Sequence, residues 1–208
     1  MINLYFAGPI VAIIATTQMA VAEEGFYYGV TLGFASTESQ SDLNEFEGRH
    51  GEMPVGTPGR AAILSGSMGY GFSLQNGSTI AIEGNLDWMP GSRMSYHSGE
   101  DSCDSVSPDW CEVDGIVRIR GVYSKPLSNG YDILSMAGIA AVTGPAEDGL
   151  GTYVSTTSTG YTLGVGSQKD YDFGTVRFEI TYDKFDNPSP SVYSKTLEVV
   201  SLRSTYMF

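Results

Sequence analysis

The sequence predicts an all-β chain closed into an eight-stranded, antiparallel, up-and-down barrel that crosses a membrane. Three observations lead there: an uncharged apolar segment at the N-terminus, eight segments of about ten residues that alternate with period two, and connections that alternate between short and long. Of the 208 residues, 41% are hydrophobic and only 17% charged, with 26 glycines, a balance that fits neither a disordered chain nor a helical membrane bundle. The formal net charge of -13 excludes a nucleic-acid surface, because such a surface needs clustered Lys and Arg to release counterions from phosphates.

Residues 1–22 contain no Asp, Glu, Lys or Arg; an apolar run from Leu4 to Ala15 is followed by the small-residue pattern Ala20-Val21-Ala22. That is the organisation of a secretory signal cleaved before Glu23, which leaves 23–208 as the barrel. A short membrane anchor is the competing reading, but the run falls short of the roughly 20 apolar residues needed to span a bilayer. No later run approaches that length, so a membrane location for the mature chain requires strands and a closed barrel.

The first strand sets Phe26, Tyr28, Val30, Leu32 and Phe34 on one face and Tyr27, Gly29, Thr31, Gly33 and Ala35 on the other. The second sets Leu64, Gly66, Met68, Tyr70, Phe72 and Leu74 against Ile63, Ser65, Ser67, Gly69, Gly71 and Ser73, and the hairpin signal Asn76-Gly77 follows. In the third, Ile80, Ile82, Leu86 and Trp88 point outward, with Ala81, Glu83, Asn85 and Asp87 inward. The fourth answers with Val117, Ile119 and Tyr123 against Ile116, Arg118, Arg120 and Val122, and ends at a Ser128-Asn129-Gly130 turn. The fifth, near Tyr131 to Val142, is apolar on both sides and its faces stay unassigned. The sixth alternates Tyr161, Leu163 and Val165 with Thr162, Gly164 and Gly166; the seventh alternates Val176, Phe178, Ile180 and Tyr182 with Arg177, Glu179, Thr181 and Asp183. The eighth, Lys195 to Phe208, puts Val200, Leu202, Tyr206 and Phe208 toward lipid and Ser201, Arg203 and Thr205 inside.

Connections are short at Gln75 to Ser78, Leu127 to Gly130 and Asp170 to Gly174, and long at Thr37 to Arg60, Gly91 to Glu112 and Pro145 to Thr157. In membrane barrels the short turns are periplasmic and the long loops extracellular. Sixteen strands of about 11 residues would leave almost nothing for these connections, which excludes a general-diffusion porin. A soluble lipocalin-like barrel is the remaining alternative, with the faces inverted and a ligand cavity inside.

If the apolar sets face lipid, Glu83, Asp87, Arg118, Arg120, Arg177, Glu179 and Arg203 face the lumen, four positive and three negative. An eight-stranded barrel is just wide enough for side chains to fill, so these residues are expected to form an ionic network with no continuous aqueous channel. A narrow ion path along them is the functional alternative. Cys103 and Cys111 lie eight positions apart in a polar loop and, in an exported protein, are expected to form a local disulfide. With His97 as the only close imidazole they make an incomplete metal set, and no metal or cofactor is expected. The first loop carries Glu38, Asp42, Glu45, Glu47 and Glu52; the second carries Glu100, Asp101, Asp104, Asp109 and Glu112. Solvated charge is the plain reading, and Ca²⁺ or Mg²⁺ bridging to lipopolysaccharide phosphates the functional one. Tyr27, Tyr28, Trp88, Tyr123, Tyr182, Tyr206 and Phe208 suit interfacial girdles.

With its signal segment, alternating strands, alternating loop lengths and closing Tyr206-Met207-Phe208, the sequence resembles the small eight-stranded outer-membrane β-barrel proteins of Gram-negative bacteria, of the opacity-porin-like and surface-antigen type. The resemblance implies a place in the bacterial outer membrane among its lipids and lipopolysaccharide, with Tyr206 and Phe208 as an assembly signal for the barrel-assembly machinery. It also brings in a minority of lipid A deacylases and palmitoyltransferases that use His and Ser near the outer rim. His97, Ser98 and Glu100 are the candidates for that chemistry here, although neighbours along one loop do not adopt triad geometry without special folding; His50 has no obvious partner. The reading is a monomeric, non-enzymatic barrel whose acidic loops serve envelope integrity, adhesion or contact with an extracellular partner. A lipid-modifying enzyme and a small pore are the alternatives.

Overall fold

The computed structural model describes residues 25–41, 59–90, 92, 95–96, 100–101, 112–147, 153–186 and 194–208. The signal segment, His50, His97, Ser98, Cys103 and Cys111 lie outside the described residues. The strands are β1 (Gly25–Ser41), β2 (Gly59–Ser73), β3 (Thr79–Trp88), β4 (Ser95–Tyr96), β5 (Glu100–Asp101), β6 (Gly115–Pro126), β7 (Asp132–Glu147), β8 (Tyr153–Tyr171), β9 (Gly174–Asp186) and β10 (Ser194–Met207). Eight of them close a barrel in the order β1-β10-β9-β8-β7-β6-β3-β2, and β4 pairs with β5 as a separate ladder in the connection between β3 and β6. Every pairing is antiparallel, and β1 closes on β10 along a continuous register from Gly29↔Met207 to Gln40↔Thr196.

Burial follows the period-two pattern. Phe26 and Phe34 are each 73% exposed, and Leu32, Ile82, Leu86, Ile119, Val165, Ile180 and Leu202 line the same outer surface. The odd positions of β1, by contrast, face inward, where Thr31 and Thr37 are fully buried. A closed barrel that is apolar outside and polar inside is built for a hydrocarbon solvent, since closure satisfies every strand edge within the membrane. The inverted, soluble alternative is therefore excluded. β7, whose faces the sequence left open, turns Leu134, Met136, Ala140 and Val142 inward and Ile133 and Ile139 outward.

Two of the short turns share one construction. Gly77 N donates to Leu74 O at 2.9 Å and Leu74 N to Ser78 O at 2.7 Å; Gly130 N donates to Leu127 O at 3.2 Å and Leu127 N to Tyr131 O at 2.8 Å. Gly77 and Gly130 sit at φ 79° and 77°, so each turn is a three-residue hairpin whose left-handed position demands glycine. In each the preceding Asn accepts from the backbone N–H two residues on.

The strands run further than their apolar faces. A band about 25 Å tall needs only some ten tilted residues, whereas β8 has 19 and β7 has 16. The expected long connections at Thr37 to Arg60 and Pro145 to Thr157 are thus partly strand: β1 continues to Ser41, β2 begins at Gly59, and β7 and β8 stay paired up to Glu147↔Tyr153. In these extensions the inward positions Thr37, Gly59, Gly144 and Ser158 are still buried, but they are small or polar, so the contrast of polarity between the faces fades while the backbone ladder continues.

Candidate functional site: the lumen and the rim

The inward positions of β3, β6, β9 and β10 bring their charges together. Glu83 faces Arg120 and Glu179 faces Arg203 as direct cross-strand neighbours, and Asp87 is a diagonal neighbour of Arg118 on the adjacent strand; the other contacts cross the lumen. Arg118 lies against Asp87 and donates to Asp183 through Nε at 2.8 Å and Nη2 at 2.6 Å. Arg203 Nη1 lies 2.9 Å from Asp87 and its Nε 3.0 Å from Glu179. Arg120 Nη2 is 2.8 Å from Glu179 and 2.6 Å from Glu83, and Arg177 Nη1 is 2.6 Å from Glu83. The eight groups form one alternating chain, Asp183–Arg118–Asp87–Arg203–Glu179–Arg120–Glu83–Arg177, whose inner members have two opposite neighbours and whose ends have one. All eight are buried.

Asp183 is the member missing from the expected network. Its parity on the seventh strand already placed it inward, and the imbalance of four positive against three negative charges was the signal that one acid was lacking. Tyr27 requires a correction of another kind. It is not a girdle residue: it sits on the inward face of β1, and its hydroxyl donates to Glu83 Oε2 at 2.7 Å. The Arg177 guanidinium lies 5.9 Å from its ring centroid. The ring lies over Gly69, its direct cross-strand partner; a Cβ at Gly69 would fall 2.3 Å from Tyr27 Cζ. Residue type suggested an interface, but strand parity decides the side. Tyr28, Trp88, Tyr123, Tyr206 and Phe208 are outward, as a girdle requires.

Apolar residues pack beside the chain of charges at both ends, although at the short-turn end the polar contacts continue past them, since Arg177 Nε donates to Gln168 Oε1 at 3.2 Å. Toward the long loops, Ile63, Met89, Val113, Ile116, Val142, Phe185, Leu197 and Val199 form one buried cluster; toward the short turns, Ala81, Val122, Leu134 and Met136 form another, with Tyr27 against it. The base of the second long loop joins the upper layer. Ser92 Oγ donates to Val113 O at 2.6 Å, and Met89 N donates to Asp114 O at 3.0 Å. Below the lower layer, Ser124 and Gln168 both donate to Asp132, at 2.8 and 3.1 Å.

On the outer surface toward the short turns, Tyr171, Phe173 and Tyr206 stack in sequence with Phe208 tilted against Tyr206, and Lys169 lies 4.8 Å from the Tyr131 centroid. Phe208 exchanges both backbone hydrogen bonds with Tyr28, at 2.9 and 3.1 Å. Among the described residues no cluster of His, Cys, Asp and Glu is arranged to hold a metal ion. Of the candidates His97, Ser98 and Glu100 only Glu100 is described, opposite Tyr96 in the β4–β5 ladder; of the other loop acids Glu38, Asp101 and Glu112 are described, whereas Asp42, Glu45, Glu47, Glu52, Asp104 and Asp109 lie outside the described residues.

No protein-family model matches the sequence, and no curated protein gives a significant match. Solved structures do. The Neisserial surface protein A matches over 88% of this chain and 96% of its own at 12% identity, with a TM-score of 0.49. The attachment invasion locus protein Ail of Yersinia pestis matches over 89% and 99% at 13% identity and a TM-score of 0.45. The N-terminal β-barrel domain of Pseudomonas aeruginosa OprF matches over 89% and 98% at 13% identity and a TM-score of 0.43. At such identities a likeness reaches no further than the fold, and here closure, strand number and inverted polarity already establish it. The architecture is that of the small eight-stranded outer-membrane barrels.

Proposed function

We propose that this protein is a non-enzymatic barrel of the bacterial outer membrane that works through its extracellular surface rather than through its lumen. The observation that supports this is the pairing of the interior. Eight buried charges, each matched by an opposite neighbour, occupy the lumen, so an ion on the axis would have to shed its water and displace a paired charge. Desolvating an ion without a compensating partner is costly, and the interior serves as a rigid polar core. What remains for contact with other molecules is the acidic loop surface, carrying most of a net charge of -13.

The test has two readings. In the outer-membrane fraction the unboiled protein should migrate differently from the boiled protein on a denaturing gel, and intact cells should expose the loops to added protease. In planar bilayers the purified barrel should give no discrete conductance steps. Protein recovered from the soluble periplasm, or regular conductance that Arg118→Ala alters, would overturn the proposal.

A further inference from the structure

We infer that the lipid-facing wall over β6, β7 and β8 seats one acyl chain of a surrounding membrane lipid, with the Thr159 hydroxyl donating to the carbonyl that joins this chain to its headgroup. The inference needs only the closed barrel with its apolar outer face, and does not depend on what the loops contact.

The seat is a groove of about 480 Å³ in the outer wall, lined by Val117, Ile119, Ile139, Ala141, Thr159 and Gly160. Ile119 faces Ile139 across the β6–β7 ladder and Val117 faces Ala141; across the β7–β8 ladder Ala141 faces Thr159. The isoleucines and Val117 stand out from the wall, whereas Ala141 is short and Gly160 has no Cβ, so the surface dips between them.

The register gives the groove its height. Trp88 faces Gly115, Gly115 faces Thr143, and Thr143 faces Thr157. In strands tilted by about 40°, residues at equal height are offset from this row by roughly 1.3 residues per strand. Trp88, Val117, Ala141 and Tyr161 therefore stand at one level, with Trp88 and Tyr161 both exposed on the outer face. The aromatic girdle on the long-loop side is thus interrupted by a valine and an alanine, and the groove lies in the interruption.

The occupant follows from the surroundings and from one polar group. The barrel wall faces hydrocarbon, so an apolar depression in it is filled by a lipid chain. The Thr159 hydroxyl opens onto the same groove and has no hydrogen-bond partner among the described residues, whereas Thr143 Oγ1 donates to Gly115 O at 3.5 Å. An unpartnered hydroxyl is costly in hydrocarbon, and a girdle marks the headgroup level of the bilayer, where the ester or amide carbonyls of lipids are at hand. An apolar concavity with one placed donor is the usual make-up of a small-ligand site.

The experiment uses the full barrel refolded into vesicles of diester- and diether-linked phosphatidylcholine in equal amounts, with identical chain lengths. After extraction into mild detergent, native mass spectrometry counts the lipid that stays bound. The wild-type barrel should retain one lipid and prefer the diester, which has the carbonyl, over the diether by about fivefold, the worth of one hydrogen bond. Thr159→Val should erase the preference, and Ala141→Leu, which fills the groove, should abolish retention of both lipids. Val165→Leu, outward on the same strand but outside the groove, should change neither. All three positions face lipid, so the heat-dependent gel shift should persist throughout. Absence of retained lipid, equal retention of diester and diether by the wild type, or undiminished retention in Ala141→Leu would overturn the seat. So would a lipid-free dimer that Ala141→Leu dissociates, because the groove would then hold a second copy of the chain.

Discussion

Removing Arg118 is the sharpest way to ask whether the lumen is sealed. Arg118 is fully buried and is the only cation paired with Asp183 among the described residues, through two hydrogen bonds of 2.8 and 2.6 Å. Asp87 would keep Arg203 at 2.9 Å. Arg118→Met therefore strands one carboxylate at the end of the chain, and a stranded buried charge costs about 3–5 kcal/mol, or roughly 150- to 5,000-fold in the folding constant. Adding Asp183→Asn shortens the chain to three acids and three arginines, again alternating and neutral, so the double variant should return to within about 1 kcal/mol of wild type. Adding Asp87→Asn instead leaves Asp183 stranded and should rescue little. Arg120→Met should cost less than Arg118→Met, because Glu83 keeps Arg177 and Glu179 keeps Arg203. The assay is urea titration of the barrel in lipid vesicles, followed by gel mobility and by the fluorescence of Trp88, which faces outward. If Arg118→Met costs under about 1 kcal/mol, or Asp87→Asn rescues as well as Asp183→Asn, water reaches the charges and the sealed-lumen argument fails.

Tyr27→Phe should destabilise by about 1.5–3 kcal/mol through loss of a hydrogen bond to a carboxylate; Gly69→Ala should cost a similar amount by expelling the ring. The double variant should be far from additive in the same titration, and full additivity would mean that ring and glycine are not in contact. Gly130→Ala should cost about 1 kcal/mol, since φ of 77° strains an L-residue; a Gly130→Asn variant should recover part of that loss. For the enzymatic alternative, His97→Ala should leave the lipid A mass spectrum of expressing cells unchanged, and a lost or gained acyl chain would reopen it.

The sequence made the barrel legible where the two solvents of a strand differ most. Along β9, lipid on one side and charge on the other gave Val176, Phe178 and Ile180 against Arg177, Glu179 and Thr181 without ambiguity. β7 is unreadable for a physical reason: its inward residues Leu134, Met136 and Val142 belong to the two buried apolar clusters of the interior, so both faces are apolar and period two carries no polarity. The strand extension at Ser155–Thr157 reads as loop for the opposite reason, because its three residues are all small and polar and alternate in no polarity. A type-based guess misled at Tyr27, whose aromatic ring suited an interface while its odd position, shared with Gly29 and Thr31, assigned it inward. Asp183 shares the inward parity of Arg177 and Glu179, and the four positive against three negative charges expected inside already call for one more acid, because a dry interior demands that every charge be matched. Alternation therefore reports contrast between solvents rather than strand structure itself, and the segments it reads least well are those whose inward face is also apolar or that continue beyond the apolar band.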